Sequence, residues 1–268
     1  MPTTTPDRIA TLTAIDHVAG RLIAMVTAAD DTAVRVPATP HWTVREAFAH
    51  VATVAPRYVQ GARAEGEWVE HVDDLADLNA RQLATFPAID VDAVAERLRS
   101  SLAELAPLIT SFGDQQPAFT FHGGQKVRAD VALGILLGEL VVHGHDIAEA
   151  LQRPWPIDPA HVELIMLGLT PVLPGWLDRR RAGDHTARYE VRLRGQGVHR
   201  FAFSRGRLSM DPPGPFRPDV VISARPATFL LVVYKRASQW PAVLTGRLAA
   251  YGRRPWLAAT FASRFHRP

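Results

Sequence analysis

No cysteine occurs among the 268 residues, which excludes disulfides, thiolate metal ligands and a cysteine nucleophile. Any thiol chemistry must therefore use a thiol brought from outside. The start MPTTTPDRIATL lacks a basic segment followed by an apolar signal core, and no uninterrupted apolar run reaches the ~18 residues of a membrane span. A cytoplasmic protein with no membrane partner is the expectation. Phosphate-cradling glycine loops, G-x-S-x-G elbows and HExxH pairs are missing too, so these local signatures of nucleotide, serine-hydrolase or zincin chemistry give no lead. Internal repeats and low-complexity tracts are also absent.

What is present is a chain of 268 residues with 47% hydrophobic content, enough to bury a sizeable core in two ordinary domains. The net charge of +3 hides an asymmetry: residues 1–178 hold 12 Lys+Arg and 23 Asp+Glu (−11), whereas 179–268 hold 18 and 4 (+14). An acidic half and an Arg-rich half predict two mutually attracted domains, with a basic wall toward whatever lies between them. The arginines are scattered through strand-like text without a nucleic-acid motif, which argues against a nucleic-acid partner.

The periodicity predicts a first helix over 6–29, opened by Pro6 and Asp7, with Ile9, Leu12, Ile15, Val18, Leu22 and Val26 at helical spacing. Thr43-Val44-Arg45-Glu46 has the capping-box form and launches a helix of about 20 residues with His50 on its second turn. Further helices are expected over 72–86 and from Asp90 to about Phe112, the latter bent at Pro107. After a break at Gly123 and Gly124, Asp130 stands near the start of a long apolar helix. Four long helices argue for a bundle, where metal sites are built from inward-facing side chains. A short helix over 159–170 leads out of it. From Tyr189 the text alternates as strands do, in 189–193, 199–203 and around 220–222, with Gly195, Gly197 and Gly206 at turns. Helices from Pro226 to about Arg236 and from Ser238 to about Leu244, a strand from Arg247 to Tyr251 and a closing helix over 255–265 complete an α+β ordering. The expected fold is a helical bundle over 1–178 followed by a smaller α+β domain over 179–268.

Glu139 and His143 stand four residues apart in GELVVHGHDIAEAL. At about 100° per residue they emerge on one helical face, one turn apart. Glu139 follows the apolar run 131–138, where an unpartnered carboxylate costs several kcal/mol, so a metal or an arginine must stand beside it. Gly134 and Gly138 are poor helix formers and suggest close approach or room for a ligand. With His50 as a third donor, one carboxylate and two imidazoles form a set that suits a divalent metal with one position left open. The plainer alternative is two core histidines and a carboxylate paired with arginine. Asp146, three past His143, falls on the ligand face and could accept an N–H from a metal-bound imidazole or hold an arginine. His145 lies roughly 200° around the helix and reads as an outer or surface residue. Glu46 is explained by its cap. His122 is a candidate for lining the cleft, while His41 and His71 carry no assigned role.

His50 in W-T-V-R-E-A-F-A-H-V, taken with Glu139-x-x-x-His143-x-x-Asp146, resembles the metal-binding pattern of the mycothiol-dependent maleylpyruvate isomerase family within the DinB-like bundle superfamily. Residues 189–268, with D-V-V-I-S-A-R-P-A-T-F-L-L and L-T-G-R-L, resemble the sterol-carrier-like C-terminal domain that such proteins carry. The resemblance implies zinc or a similar divalent ion held by His50, Glu139 and His143, the fourth position going to water or to the sulfur of mycothiol. It implies mycothiol as thiol cosubstrate: its thiolate adds to an activated double bond and leaves after rotation in an isomerase, or stays in the product of an S-transferase. The Arg-rich second domain would then clamp carboxylates of the small electrophilic substrate or of the thiol, with Arg247 the first candidate and Arg81 in D-L-N-A-R-Q a second; the plainer alternative makes both ordinary surface arginines. Two rival functions remain: a thiol-independent metal-dependent hydrolase, epimerase or cyclase, and a non-enzymatic small-molecule or lipid-binding protein with a vestigial metal site. A monomer or small homo-oligomer is expected.

Overall fold

A computed structural model describes residues 7–86 and 89–266. Helix α1 (Arg8–Thr27) is capped by Asp7, whose carboxylate accepts from the Ile9 and Ala10 amides, and it buries Ile15, Val18, Leu22 and Val26. Pro6, the expected helix opener, lies outside the described residues. Helix α2 (Val44–Ala62) carries the predicted capping box, Thr43 accepting from the Glu46 amide while the Glu46 side chain accepts from the Thr43 amide. The segment expected as one helix over 72–86 is a 3₁₀ turn, Val72–Asp74, followed by the short α3 (Leu75–Leu83). Asp90 caps α4 (Val91–Ser111), which continues through Pro107. A hairpin of β1 (Ala118–Thr120) and β2 (Lys126–Arg128) follows, with Gly123 and Gly124 at φ of +90° and +78° in its turn. It leads into α5 (Ala129–Ala150).

Helix α2 packs on α4 and α5, and α1 packs on the same two, which closes a four-helix bundle; α3 rests on α2. Among the described residues two helices, α1 and α5, are long and apolar enough to cross a membrane by length and composition alone, each with mean hydropathy 1.4. This amends the expectation drawn from uninterrupted runs. Packing accounts for the apolarity of α5, most of whose residues are buried inside the fold.

Close packing also explains a helical glycine. A Cβ on Gly144 would collide with the Trp155 ring. That ring is held from two sides, its indole N–H donating to the Val141 carbonyl at 3.0 Å and the Arg21 guanidinium lying 4.3 Å over its centroid. Gly144→Ala is therefore expected to destabilise the bundle by about 1–3 kcal/mol, as read from the urea midpoint; an unchanged midpoint would show that Trp155 yields freely.

Contacts divide the chain after Pro156, earlier than the boundary expected at 178. The reason is helix α6 (Pro159–Leu169): it packs on α8 (Pro226–Val233), and its Glu163 carboxylate accepts from the Gly197 amide at 2.9 Å and faces His199 at 3.2 Å. Between α6 and the sheet stands α7 (Arg179–Ala182). The second unit is built on a five-stranded sheet in the order β5-β4-β3-β6-β7. Its strands are β3 (Ala187–Leu193), β4 (Val198–Ser204), β5 (Arg207–Met210), β6 (Val220–Ala224) and β7 (Leu248–Gly252). Strands β3 and β6 pair in parallel and the other neighbours antiparallel. One sheet face gathers Tyr189, Phe201, Phe203 and Phe261 into an aromatic core. On the other, Glu190 accepts from Arg192 of its own strand at 2.8 and 2.6 Å and from Arg200 across the ladder at 3.4 Å, so part of the arginine excess is paired on the sheet. Helix α9 (Gln239–Leu244) is capped by Ser238. The closing helix expected over 255–265 is instead two 3₁₀ segments, Pro255–Thr260 and Ala262–Arg264, which deliver Phe261 into the aromatic core. The architecture is α+β, a four-helix bundle followed by a smaller sheet unit.

Candidate metal centre

The site lies wholly within the bundle. The cap at Thr43 fixes where α2 begins and so places His50 on its inner face, 3% exposed. Helix α5 brings up Glu139 and His143, with Nε2 of His143 3.3 Å from a Glu139 carboxylate oxygen. One ligand atom from each of His50, Glu139 and His143 lies within 4.8 Å of the other two. The imidazoles meet edge to face with centroids 5.0 Å apart, and Trp42 covers His50 at 4.7 Å. The Glu139 side chain keeps 27% of its surface accessible and that of His143 13%, so one side of the cluster opens outward while His50 forms its floor.

Electrostatics sets the protonation states. Burial, reinforced by His143, pushes His50 down to about 3, which leaves its imidazole neutral near pH 7. Burial alone would raise the Glu139 carboxyl, yet the His143 hydrogen bond and the positive potential of His143, His50 and Arg57 hold it down to about 2. A neutral imidazole and a carboxylate are the forms a metal binds, so these groups need shed no proton at neutral pH. Donor chemistry fits as well, with two nitrogens and one oxygen in reach of one point. The Nδ1 atoms of His50 and His143 are buried without a hydrogen-bond partner.

Asp146 is fully buried, with a carboxylate oxygen 3.7 Å from His143 Nδ1, beyond hydrogen-bond length. Arg81 pairs with Glu67 at 2.9 Å and both side chains are largely exposed, so as placed it is a surface ion pair. Arg247 belongs to the second unit, where it is exposed and its carbonyl accepts from the Arg225 amide. His145 is half-buried; His41 and His71 are exposed. His122 is buried, its Nδ1 accepts from the Val69 amide at 3.1 Å, and burial together with Arg57 pushes it down to about 4 while Glu139 pulls the other way.

Sequence reasoning missed Arg57. Its Nε donates to the Gln82 side-chain oxygen and its Nη2 to that of Asn79, both at 2.7 Å. Burial lowers its affinity for its proton while Glu139 opposes the shift. The signal available was its place seven residues after His50, two turns along one helical face.

Residues 12–148 match the family described as the mycothiol maleylpyruvate isomerase N-terminal domain. The chain belongs to that family. Two crystal structures of a mycothiol-dependent maleylpyruvate isomerase, one of them a histidine-to-alanine mutant, align over 91% of this chain and 92% of theirs, at 16% identity and a TM-score of 0.55. At that identity the likeness shows the fold. A UbiJ-SCP2 ubiquinone synthesis protein aligns over 41% of this chain and 92% of its own, at 18% identity and a TM-score of 0.30. No curated protein matches.

Proposed function

We propose that the protein is a divalent-metal-dependent, mycothiol-using isomerase or S-transferase acting on a small electrophilic metabolite in the cytoplasm. The observation that carries this reading is the convergence of His50, Glu139 and His143 to within 4.8 Å in a bundle of the mycothiol maleylpyruvate isomerase family. A divalent ion, zinc first among candidates, would supply there the positive charge that keeps an external thiol as a thiolate at neutral pH. The absence of cysteine from the chain makes that external thiol necessary.

The protein's own residues do the rest. His50 presents a neutral nitrogen donor, His143 a second nitrogen donor and Glu139 a charged oxygen donor. Trp42 covers His50 and shields it from water. Asp146 is assigned to orient His143 through Nδ1, closing the present 3.7 Å gap when the ring becomes a ligand. Asp146→Asn should then weaken zinc binding roughly ten- to hundredfold, the cost typical of losing an outer partner. Competition with a chromophoric chelator measures this, and unchanged affinity would return Asp146 to a purely structural role. For the thiol, cobalt-substituted protein is titrated with mycothiol. Sulfur-to-metal charge-transfer absorption is the expected result, and its absence at saturation, with cobalt bound, rejects the thiol in favour of metal chemistry without one.

A further inference from the structure

Residues 220–268 hold eight Lys+Arg and not one Asp or Glu. Within that stretch α9 turns its apolar side outward. Ala242 is buried, whereas Trp240, Val243 and Leu244, at i, i+3 and i+4, share one helical face and are exposed, Trp240 by 62% and Leu244 by 87%. Trp256 is exposed as well, on the 3₁₀ segment that Gln239 ties to α9 by donating from Nε2 to the Ala259 carbonyl at 3.2 Å. Beside the start of α9 lies a cavity of about 380 Å³ whose lining includes Lys235, Arg236, Ser238, Gln239 and Ser263 and, among the described residues, no carboxylate. Arg236 is half-buried there, braced by Nη1 donating to the Tyr234 carbonyl at 2.8 Å. Single exposed apolar residues need no explanation, but a group of them rimmed by polar and charged side chains marks an interaction surface.

We propose that α9 and the adjoining cavity form a docking surface for an anionic phospholipid bilayer, with Trp240, Val243 and Leu244 entering the headgroup layer and Lys235 and Arg236 meeting lipid phosphates. Two observations choose a bilayer over a protein partner. The apolar side chains project from a short helix, and a fluid interface accepts projections without a matched socket. The stretch 220–268 also carries charge of one sign, opposite to that of anionic headgroups. Tryptophan suits such a place, because its ring enters apolar surroundings while its N–H keeps a polar partner at headgroup level. Docking at this depth needs no spanning helix, so the expectation of no membrane partner, drawn from missing spans, does not bear on it. It is also independent of the metal reading.

The test is cosedimentation of the full chain with vesicles of phosphatidylglycerol and phosphatidylcholine in about equal parts, against vesicles of phosphatidylcholine alone. The protein should pellet with the first and stay in solution with the second, and raising salt from about 0.1 to about 1 M should release it. Trp240→Ser and Leu244→Ser should each weaken binding about tenfold, the value of one large apolar side chain withdrawn from water. Lys235→Gln combined with Arg236→Gln should weaken it by a similar factor and remove much of the salt dependence. Equal binding to the two vesicle types, or binding that none of these variants changes, overturns the docking surface. So does a protein that ignores vesicles but forms a dimer that Leu244→Ser dissociates, since the face then belongs to a second copy. Trp240 and Leu244 face water, so their variants should keep the parent's urea midpoint; the lipid and salt comparisons on the parent decide the matter should a variant fail to fold.

Discussion

Replacing His143 by alanine is expected to weaken zinc binding by more than about 100-fold and to abolish thiol-dependent turnover, with the helical circular dichroism unchanged. Loss of an outer partner of a metal ligand already costs roughly ten- to hundredfold, and His143 is one of the three protein donors gathered at the site among the described residues. The fold should survive because α5 is anchored by Leu133, Leu136, Leu137, Leu140 and Ile147, all fully buried, and because the bundle core owes nothing to the ion. Glu139→Gln should behave alike, losing metal and keeping its helices. Inductively coupled plasma measurement of bound zinc after dialysis gives the readout. Full zinc content in His143→Ala would sink the ligand assignment, and collapse of the fold in both variants would make the cluster structural.

The metal-free protein should lose stability on acidification from pH 6.5 downward, before ordinary carboxylates titrate. His50 is held at about 3 and His122 at about 4, both by burial, against an ordinary value of 6.5. Between those values the unfolded chain binds protons that the folded chain refuses, so stability is full above pH 6.5 and falls as pH drops toward the folded values. Glu139, held at about 2, adds a loss in the same direction below its ordinary 4.5. Each unit of pKa difference is worth about 1.4 kcal/mol, so His50 alone accounts for about 3 kcal/mol by pH 4. Urea titrations in chelator at pH 7, 5.5 and 4 check this. Zinc should raise the midpoints most at pH 7 and leave the fall on acidification at least as steep, because an imidazole engaged with a metal still refuses the protons that the unfolded chain binds. Equal midpoints at pH 7 and 5.5 without metal would show that His50 is not shut away from water.

Much of the site was legible in the sequence because its geometry is helical. The four-residue step from Glu139 to His143 needed only the helical period, and the capping box at Thr43 and Glu46 located the start of the helix that carries His50. Arg57 escaped because its meaning is tertiary: Asn79 and Gln82, which aim it, sit on a short helix whose packing against α2 no local pattern announces. Arg81 drew attention for its motif, but the structure gives it an ordinary exposed partner in Glu67. In the second unit the alternating strands announced β3, β4 and β6. Strand β5 did not announce itself, since four residues, Arg207–Met210, are too few for a period to show. The domain boundary shifted for a related reason, because α6 reads like any bundle helix until Glu163 is seen bonded to Gly197.

The central claim, that His50, Glu139 and His143 together hold one divalent ion, is tested most directly by X-ray absorption at the zinc edge of the loaded protein. The expected spectrum shows two imidazole nitrogens at about 2.0–2.1 Å and a carboxylate oxygen at about 2.0–2.2 Å, with mycothiol adding a sulfur near 2.3 Å. A protein that takes up no zinc, or a spectrum without imidazole scattering, would contradict it.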